Sequence, residues 1–217
     1  MAELRIHDLS AILLAGGRSQ RMGEDKAFLR FEGQSFIART LGELKTLTDE
    51  IIVPVGEKPR SLFQMFAGDN VQIVNDAYPI GSPVGGMLSA LDVAERRYVA
   101  VLACDSPLVS ADVFRLLYRR ATNHSAAVPI WENGNTEPLV SIYDSLELKN
   151  AIHKLVHGGE LRPKRIFQYL RDISFVSVDD LRQVDPELTS FLNINTPADL
   201  AMLRQRERTL SLALVAP

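Results

Sequence analysis

The sequence predicts an α/β fold, a Rossmann-like, doubly wound and mostly parallel sheet with an antiparallel excursion in its later part. Three observations lead there. Short continuous apolar runs alternate with helical stripes through the first 120 residues. Loops rich in glycine or carrying a carboxylate follow those runs at their carboxyl ends, and Asn133-Gly134-Asn135 then interrupts the alternation with a hairpin signal.

Ala11 to Ala15 (AILLA), stopped by Gly16-Gly17, reads as a strand buried on both faces. Ser35 is a good N-cap for a helix whose apolar stripe is Phe36, Ile37, Thr40, Leu41, Leu44 and Leu47. Glu50 to Val55 and Val71 to Val74 read as the next strands, with a short helix between them over Ser61 to Phe66. Ser82-Pro83 supplies a cap and a first-turn proline for a helix running through Met87, Leu88 and Leu91 to about Arg97. The strand Tyr98 to Ala103 follows and ends at Cys104-Asp105-Ser106-Pro107, after which Ser110 caps a helix carrying Val113, Leu116, Leu117 and Tyr118. Beyond this point Ala126 to Ile130 and Pro138 to Tyr143 form the hairpin. A helix over Leu146 to Val156 stops at Gly158-Gly159, another begins after Pro163, and Ile173 to Val178 is a further strand. Thr196-Pro197-Ala198-Asp199 opens the last helix, Ala198 to about Arg206.

At 217 residues the chain suits a single domain with a substantial core. Its 24 basic and 27 acidic residues leave a charge of -3, which argues against sequence-independent nucleic-acid binding while allowing a local basic cluster for a small anion. The lone Cys104 excludes an intramolecular disulfide and provides too few thiolates for structural zinc. No apolar run has signal-peptide character or reaches the ~20 residues that span a bilayer, so no membrane partner is expected and the expected address is the cytoplasm. Leu210 to Pro217 reads as a short apolar tail.

In doubly wound sheets, ligands bind beyond the carboxyl ends of the strands. The loops after Ala15, Val74 and Ala103 should therefore meet in one crevice. The first, Gly16 to Lys26, combines glycines that turn backbone amides toward an anion with bases, Arg21 and Lys26, that neutralise it. It lacks both the Walker A pattern and G-x-G-x-x-G spacing. Asp105, ending an apolar strand, needs a cation or a turn to cap. Opposite a phosphate loop, the magnesium-ligand reading is preferred. Cys104 has no sequentially placed histidine to activate it, and His153 and His157, though spaced i, i+4, lack a third ligand and read as a solvated helix face.

Leu14-Ala15-Gly16-Gly17-Arg18-Ser19-Gln20-Arg21-Met22-Gly23-Glu24-Asp25-Lys26 resembles the signature of molybdenum cofactor guanylyltransferases. These are nucleotidyltransferases on a Rossmann-like sheet of the nucleotide-diphospho-sugar transferase type. The resemblance continues through Ser82 to Ser89, Cys104 to Pro107, Glu137-Pro138-Leu139, Gly159 to Arg162 and Asn193-Ile194-Asn195-Thr196-Pro197, in order from about residue 9 to 204. It implies transfer of GMP from GTP to the terminal phosphate of molybdopterin or molybdenum-molybdopterin, with release of pyrophosphate and no covalent enzyme intermediate. Other cofactor-synthesis or acceptor proteins are implied as further partners. Such transfer demands positioning and charge neutralisation more than a protein nucleophile.

The resemblance also assigns roles. Arg21, Lys26 and Asp105 are implied as catalytic, with Asp105 holding Mg2+, the implied cofactor. Leu14, Ala15, Gly16, Gly17, Lys26, Asp76, Gly86 and Asp105 are implied on the nucleotide, Asp76 near base or ribose and Gly16-Gly17 leaving room for guanine. Asn193 and Asn195 match a pair near metal and acceptor, and Arg162, beside Lys164 and Arg165, would attract the anionic acceptor. About 9–125 is then the nucleotide-binding half, about 126–207 the acceptor half, and 208–217 the tail. Three positions depart from the pattern: Pro54 where asparagine is frequent, Ser82 where a Gly-Pro pair is common, and Glu24 where a second glycine often follows Met22. Rival readings are cytidylyl transfer to molybdopterin, nucleotidyl transfer to a phosphorylated sugar, polyol or cobinamide, and a non-catalytic nucleotide-binding module.

Overall fold

The computed structural model describes residues 5–17, 24–78 and 80–205. Its strands and helices, in chain order, begin with β1 (Leu9–Leu14), the small hairpin β2 (Arg30–Phe31) and β3 (Gln34–Ser35), α1 (Phe36–Leu47), β4 (Glu50–Pro54) and β5 (Val71–Val74). They continue with α2 (Pro83–Leu91), β6 (Tyr98–Ala103), α3 (Ala111–Ala121), β7 (Ala126–Ile130), β8 (Val140–Asp144), α4 (Ser145–His157), β9 (Ile173–Ser177) and α5 (Val178–Leu181). A last helix, α6, covers 197–205.

The main sheet has seven strands in the order β5-β4-β1-β6-β8-β7-β9. The pairs β5–β4, β4–β1, β1–β6 and β7–β9 are parallel, and β8 is antiparallel to both neighbours, β6 and β7. Alternation along β1 divides the core between the two faces. Leu9, Ala11 and Leu13 pack with α1 and α3, whereas Ile12 and Leu14 pack with α2 and α4. Because connections from β1 and β6 diverge across the sheet, their carboxyl ends form the switch-point crevice.

The caps follow the sequence. Ser35, Ser82 and Ser110 accept from the amides of Ala38, Val84 and Asp112. At α6, Asp199 accepts from Asn195 and Thr196 amides at 2.9 and 2.8 Å while its own amide donates to Thr196 Oγ1 at 3.2 Å, a reciprocal box that holds its carboxyl below the usual range.

Some expectations shift. α2 ends at Leu91 rather than near Arg97, because the Glu95 amide donates to the Glu50 carboxylate and the Arg96 amide to Ser10 Oγ. Tertiary acceptors take donors that a longer helix would have used. Residues 61–66 form parts of two 3-10 turns, Arg60–Leu62 and Gln64–Phe66, rather than one helix. The β2–β3 hairpin was not anticipated; it turns at Glu32 and Gly33, both at positive φ. It packs Phe31 with Leu29, Phe36, Ile194, Leu200 and Leu203, joining α6 to the front of the chain.

The hairpin arm β8 enters the sheet between β6 and β7, where Tyr143 is fully buried and its hydroxyl donates to the Pro138 carbonyl at 2.8 Å. Tyr143→Phe leaves that carbonyl without its donor and should cost about 1–3 kcal/mol, roughly 2–12 °C in Tm for a chain of this size, measurable by thermal denaturation.

Candidate active site

The loop after β1 rests against the loop after β4. The Ala15 amide donates to the Pro54 carbonyl at 3.0 Å, and Gly16 lies so near Gly56 that a Cβ on Gly16 would stand 2.8 Å from the Gly56 nitrogen. Gly56 itself sits at φ +65°. Glycine at position 16 is thus required by backbone contact, a reason independent of room for a purine. Around Gly17, among the described residues, nothing would meet a Cβ within 4 Å. Asp76 Oδ1 accepts from the Gly56 amide at 3.2 Å, and partial burial, with Glu57 nearby, raises its carboxyl pKa against that hydrogen bond. Gly86 is buried in α2, its side occupied by Leu14 and Pro54, so it lets the helix approach β1 and β4 closely.

Asp105 follows β6 directly. Lys26 Nζ donates to Asp105 Oδ2 at 3.1 Å and to Asn195 Oδ1 at 2.6 Å, joining residues from three distant parts of the chain. The Asp105 carbonyl accepts from the Ile194 amide at 2.8 Å, and Ser106 Oγ donates to Asn193 Oδ1 at 2.7 Å. These two bonds seat the Asn193–Asn195 segment on the Asp105 turn. The Asp105 side chain pairs with the Lys26 ammonium, and Ser110 caps the following helix.

Lys58 adds a cation. Its Nζ donates to the Ala15 carbonyl at 2.7 Å and pairs with Asp25 at 2.6 Å, so one side chain ties both flanks of the glycine-rich loop. Asp25 also caps the short Lys26–Phe28 turn by accepting from the Ala27 amide. Arg18 and Arg21 lie outside the described residues, as does the 208–217 tail.

A cleft of about 340 Å³ opens beside this cluster, lined by Asp105, Glu137, Pro138, Lys164, Asn193 and Asn195 among others. Arg162 is not in its wall. It lines a neighbouring hollow of about 500 Å³ with Lys164 and Arg165, and its guanidinium is paired with Glu160, whose carboxyl it holds at about 2. Lys164 lines both spaces and is the base nearest the role expected of Arg162.

Residues 11–173 match the MobA-like NTP transferase domain family. The chain belongs to that family. It is 34% identical to a probable molybdenum cofactor guanylyltransferase of Methanosarcina acetivorans, covering 90% of each chain, and 32% identical to a molybdenum cofactor guanylyltransferase of Pseudomonas fluorescens, covering 87% of this chain and 90% of that one. The fold matches the crystal structure of molybdopterin-guanine dinucleotide biosynthesis protein A from Archaeoglobus fulgidus with a TM-score of 0.79 at 22% identity, covering 92% of this chain and 99% of that one. It also matches 4-diphosphocytidyl-2C-methyl-D-erythritol synthase from Anaerococcus prevotii with a TM-score of 0.70 at 14% identity, over 93% and 96% of the two chains. The expected nucleotidyltransferase sheet is therefore present.

In this MobA-like transferase the Cys104 thiol is buried and pushed up to about 12, mainly by burial, which makes it a poor nucleophile. His153 and His157 are exposed on α4. Among the described residues no three His, Cys, Asp or Glu side chains come together as a metal cage, and no helix is long and apolar enough to cross a membrane. The oxygen donors at the cluster, one carboxylate with amide carbonyls, suit a hard cation such as Mg2+, which keeps waters and is shared with substrate phosphates. The sequence reading missed Lys58, although its position just after a strand's carboxyl end was a usable signal. It also assigned no role to Ser106, whose tie to Asn193 appears only in three dimensions.

Proposed function

We propose that this protein transfers GMP from GTP to the terminal phosphate of molybdopterin or its molybdenum-loaded form, releasing pyrophosphate. The observation that carries this reading is the Lys26–Asp105–Asn195 cluster at the switch point, in a chain whose relatives at 32 and 34% identity are named molybdenum cofactor guanylyltransferases. Fold likeness alone leaves the base open, since a cytidylyl enzyme by name shares the sheet. The choice of guanine rests on the named relatives.

Leu14, Ala15, Gly16, Gly17 and Asp76 line the nucleotide side, with Gly86 beneath Leu14. Lys26, with Arg21, neutralises phosphate charge, and Asn193 and Asn195 face the acceptor. Lys164 and Arg162 draw the anionic acceptor toward the cleft. Asp105 would hold Mg2+, which when bound would supply neutralisation of the phosphate charge. An acceptor phosphate oxygen attacks the α-phosphorus in line. A new P–O–P linkage forms, the bond to the β-phosphate oxygen breaks, and its electrons leave with pyrophosphate. The protein contributes orientation and a preorganised positive charge at Lys26.

The test is an assay of the purified chain with magnesium, molybdopterin and each of GTP, CTP, ATP and UTP, following dinucleotide and pyrophosphate. Guanine dinucleotide should form preferentially. Preferential CTP use would overturn the base assignment, and no transfer with any nucleotide would favour the binding module.

Lys58 provides a separate check on the nucleotide side. Lys58→Met unties Ala15 from Asp25, and a lost charge-assisted hydrogen bond of about 1.5 kcal/mol corresponds to roughly tenfold weaker GTP binding by calorimetry. Lys58→Arg should recover part of it.

A further inference from the structure

Glu137 has a place in the cleft but no part in the chemistry above. Its Oε1 accepts from Trp131 Nε1 at 2.7 Å, and the indole is itself held edge-on to Phe191, ring centroids 5.8 Å apart. The backbone is equally fixed: the Glu137 amide donates to the Pro129 carbonyl, and the Glu137 carbonyl accepts from the Val140 amide and Ser141 Oγ. Among the described residues Oε2 has no hydrogen-bond partner. A carboxylate is thus held in one orientation with acceptor capacity left over.

A fixed negative charge is unfavourable beside phosphates, so it must meet a different part of whatever binds. Its position separates it from the nucleotide loops. Those follow β1, β4 and β5, whereas Glu137 precedes β8, on the other side of β6 and Asp105. The same cleft wall carries Lys164 for negative charge, leaving Glu137 to face paired N–H donors.

We propose that Glu137 is a specificity residue of the acceptor subsite, where its carboxylate accepts from the 2-amino group and adjacent ring N–H of the acceptor's 2-amino-4-oxopyrimidine ring. The inference rests on the pterin acceptor assigned under the proposed function. Guanine carries the same edge, so the experiment must separate the two sources.

Glu137→Gln is the informative variant: an amide oxygen can still accept from Trp131, while an NH2 then faces donors. Two calorimetric titrations are compared for wild type and variant, one with pterin and lumazine, in which oxygen replaces the 2-amino group, and one with GTP. Wild type should bind pterin about tenfold tighter than lumazine, and the variant should lose that preference and show a roughly tenfold higher KM for molybdopterin. GTP affinity within twofold of wild type supports the acceptor assignment and shows the fold intact. Weaker GTP binding with unchanged pterin selectivity would overturn it in favour of guanine reading, and equal pterin and lumazine affinity in wild type would overturn it outright. Pterin selectivity lost in the variant, from a wild-type chain that forms no guanine dinucleotide, would refute the proposed transfer while supporting Glu137 as a pterin-reading residue.

Discussion

Asp105→Ala is expected to lower transfer by roughly 10²–10³-fold, the size seen when a single preorganised electrostatic group is removed from a reacting centre. The carboxylate is an anionic partner of Lys26 at 3.1 Å and stands between the glycine-rich loop and the Asn193–Asn195 segment. Its loss removes the charged ligand assigned to the metal, while the Lys26 hydrogen bond to Asn195 can persist. Asp105→Asn separates charge from shape, and a similar loss there assigns the effect to the negative charge. The Lys26 and Asp105 side chains are only 16 and 23% exposed, so Asp105→Ala also takes the carboxylate from a largely buried ammonium and should lower Tm; activities are therefore compared at a temperature where thermal denaturation shows both variants folded. Pyrophosphate release within fivefold of wild type in both variants would remove Asp105 from the catalytic assignment.

Gly16→Ala should have a large structural effect for a single added methyl group. The new Cβ would meet the Gly56 nitrogen at 2.8 Å, its Cα at 3.1 Å and the Val55 carbonyl carbon at 3.2 Å, all backbone atoms that cannot rotate away. The loops after β1 and β4 must then part, at an overpacking cost of about 1–3 kcal/mol, or roughly 2–12 °C in Tm. GTP affinity should fall with it, since the same separation spreads Ala15, Gly56 and Asp76. Gly17→Ala is the internal comparison: no described residue would crowd its Cβ within 4 Å, so its Tm should stay within about 2 °C of wild type. Equal melting temperatures for both variants would show that the contact at position 16 is not what demands glycine.

These expectations differ in how far they could be read from the chain. Asp105 could be picked out because a carboxylate ending an apolar strand is conspicuous, and Gly16 because it belongs to a glycine pair after the first strand. The reason for Gly16 was not legible: its neighbour, Gly56, lies forty residues away in another loop. Gly86 belonged to a motif tied to nucleotide binding, and the structure adds that it lies under Leu14 and Pro54. Pro54, one of the departures from the family pattern, also packs there, while Glu24 is exposed. Arg162 illustrates the opposite problem. Its charge was legible, but Glu160, two residues before it, takes up the guanidinium, and Lys164 reaches the cleft wall.

The sequence by itself determined what depends on near neighbours. Serine or threonine caps, the Thr196–Asp199 box, strand alternation and the Asn133–Gly134 turn all act over a few residues, where periodicity and side-chain reach decide the outcome. The tertiary structure decided what depends on strand order: the entry of β8 between β6 and β7, the early end of α2, and the meeting of Lys26 with Asp105 and Asn195, 79 and 169 residues onward. The physical reason is that these contacts are made across the carboxyl edge of the sheet. No local pattern encodes which strands lie side by side; that follows from burying both faces of the sheet at once.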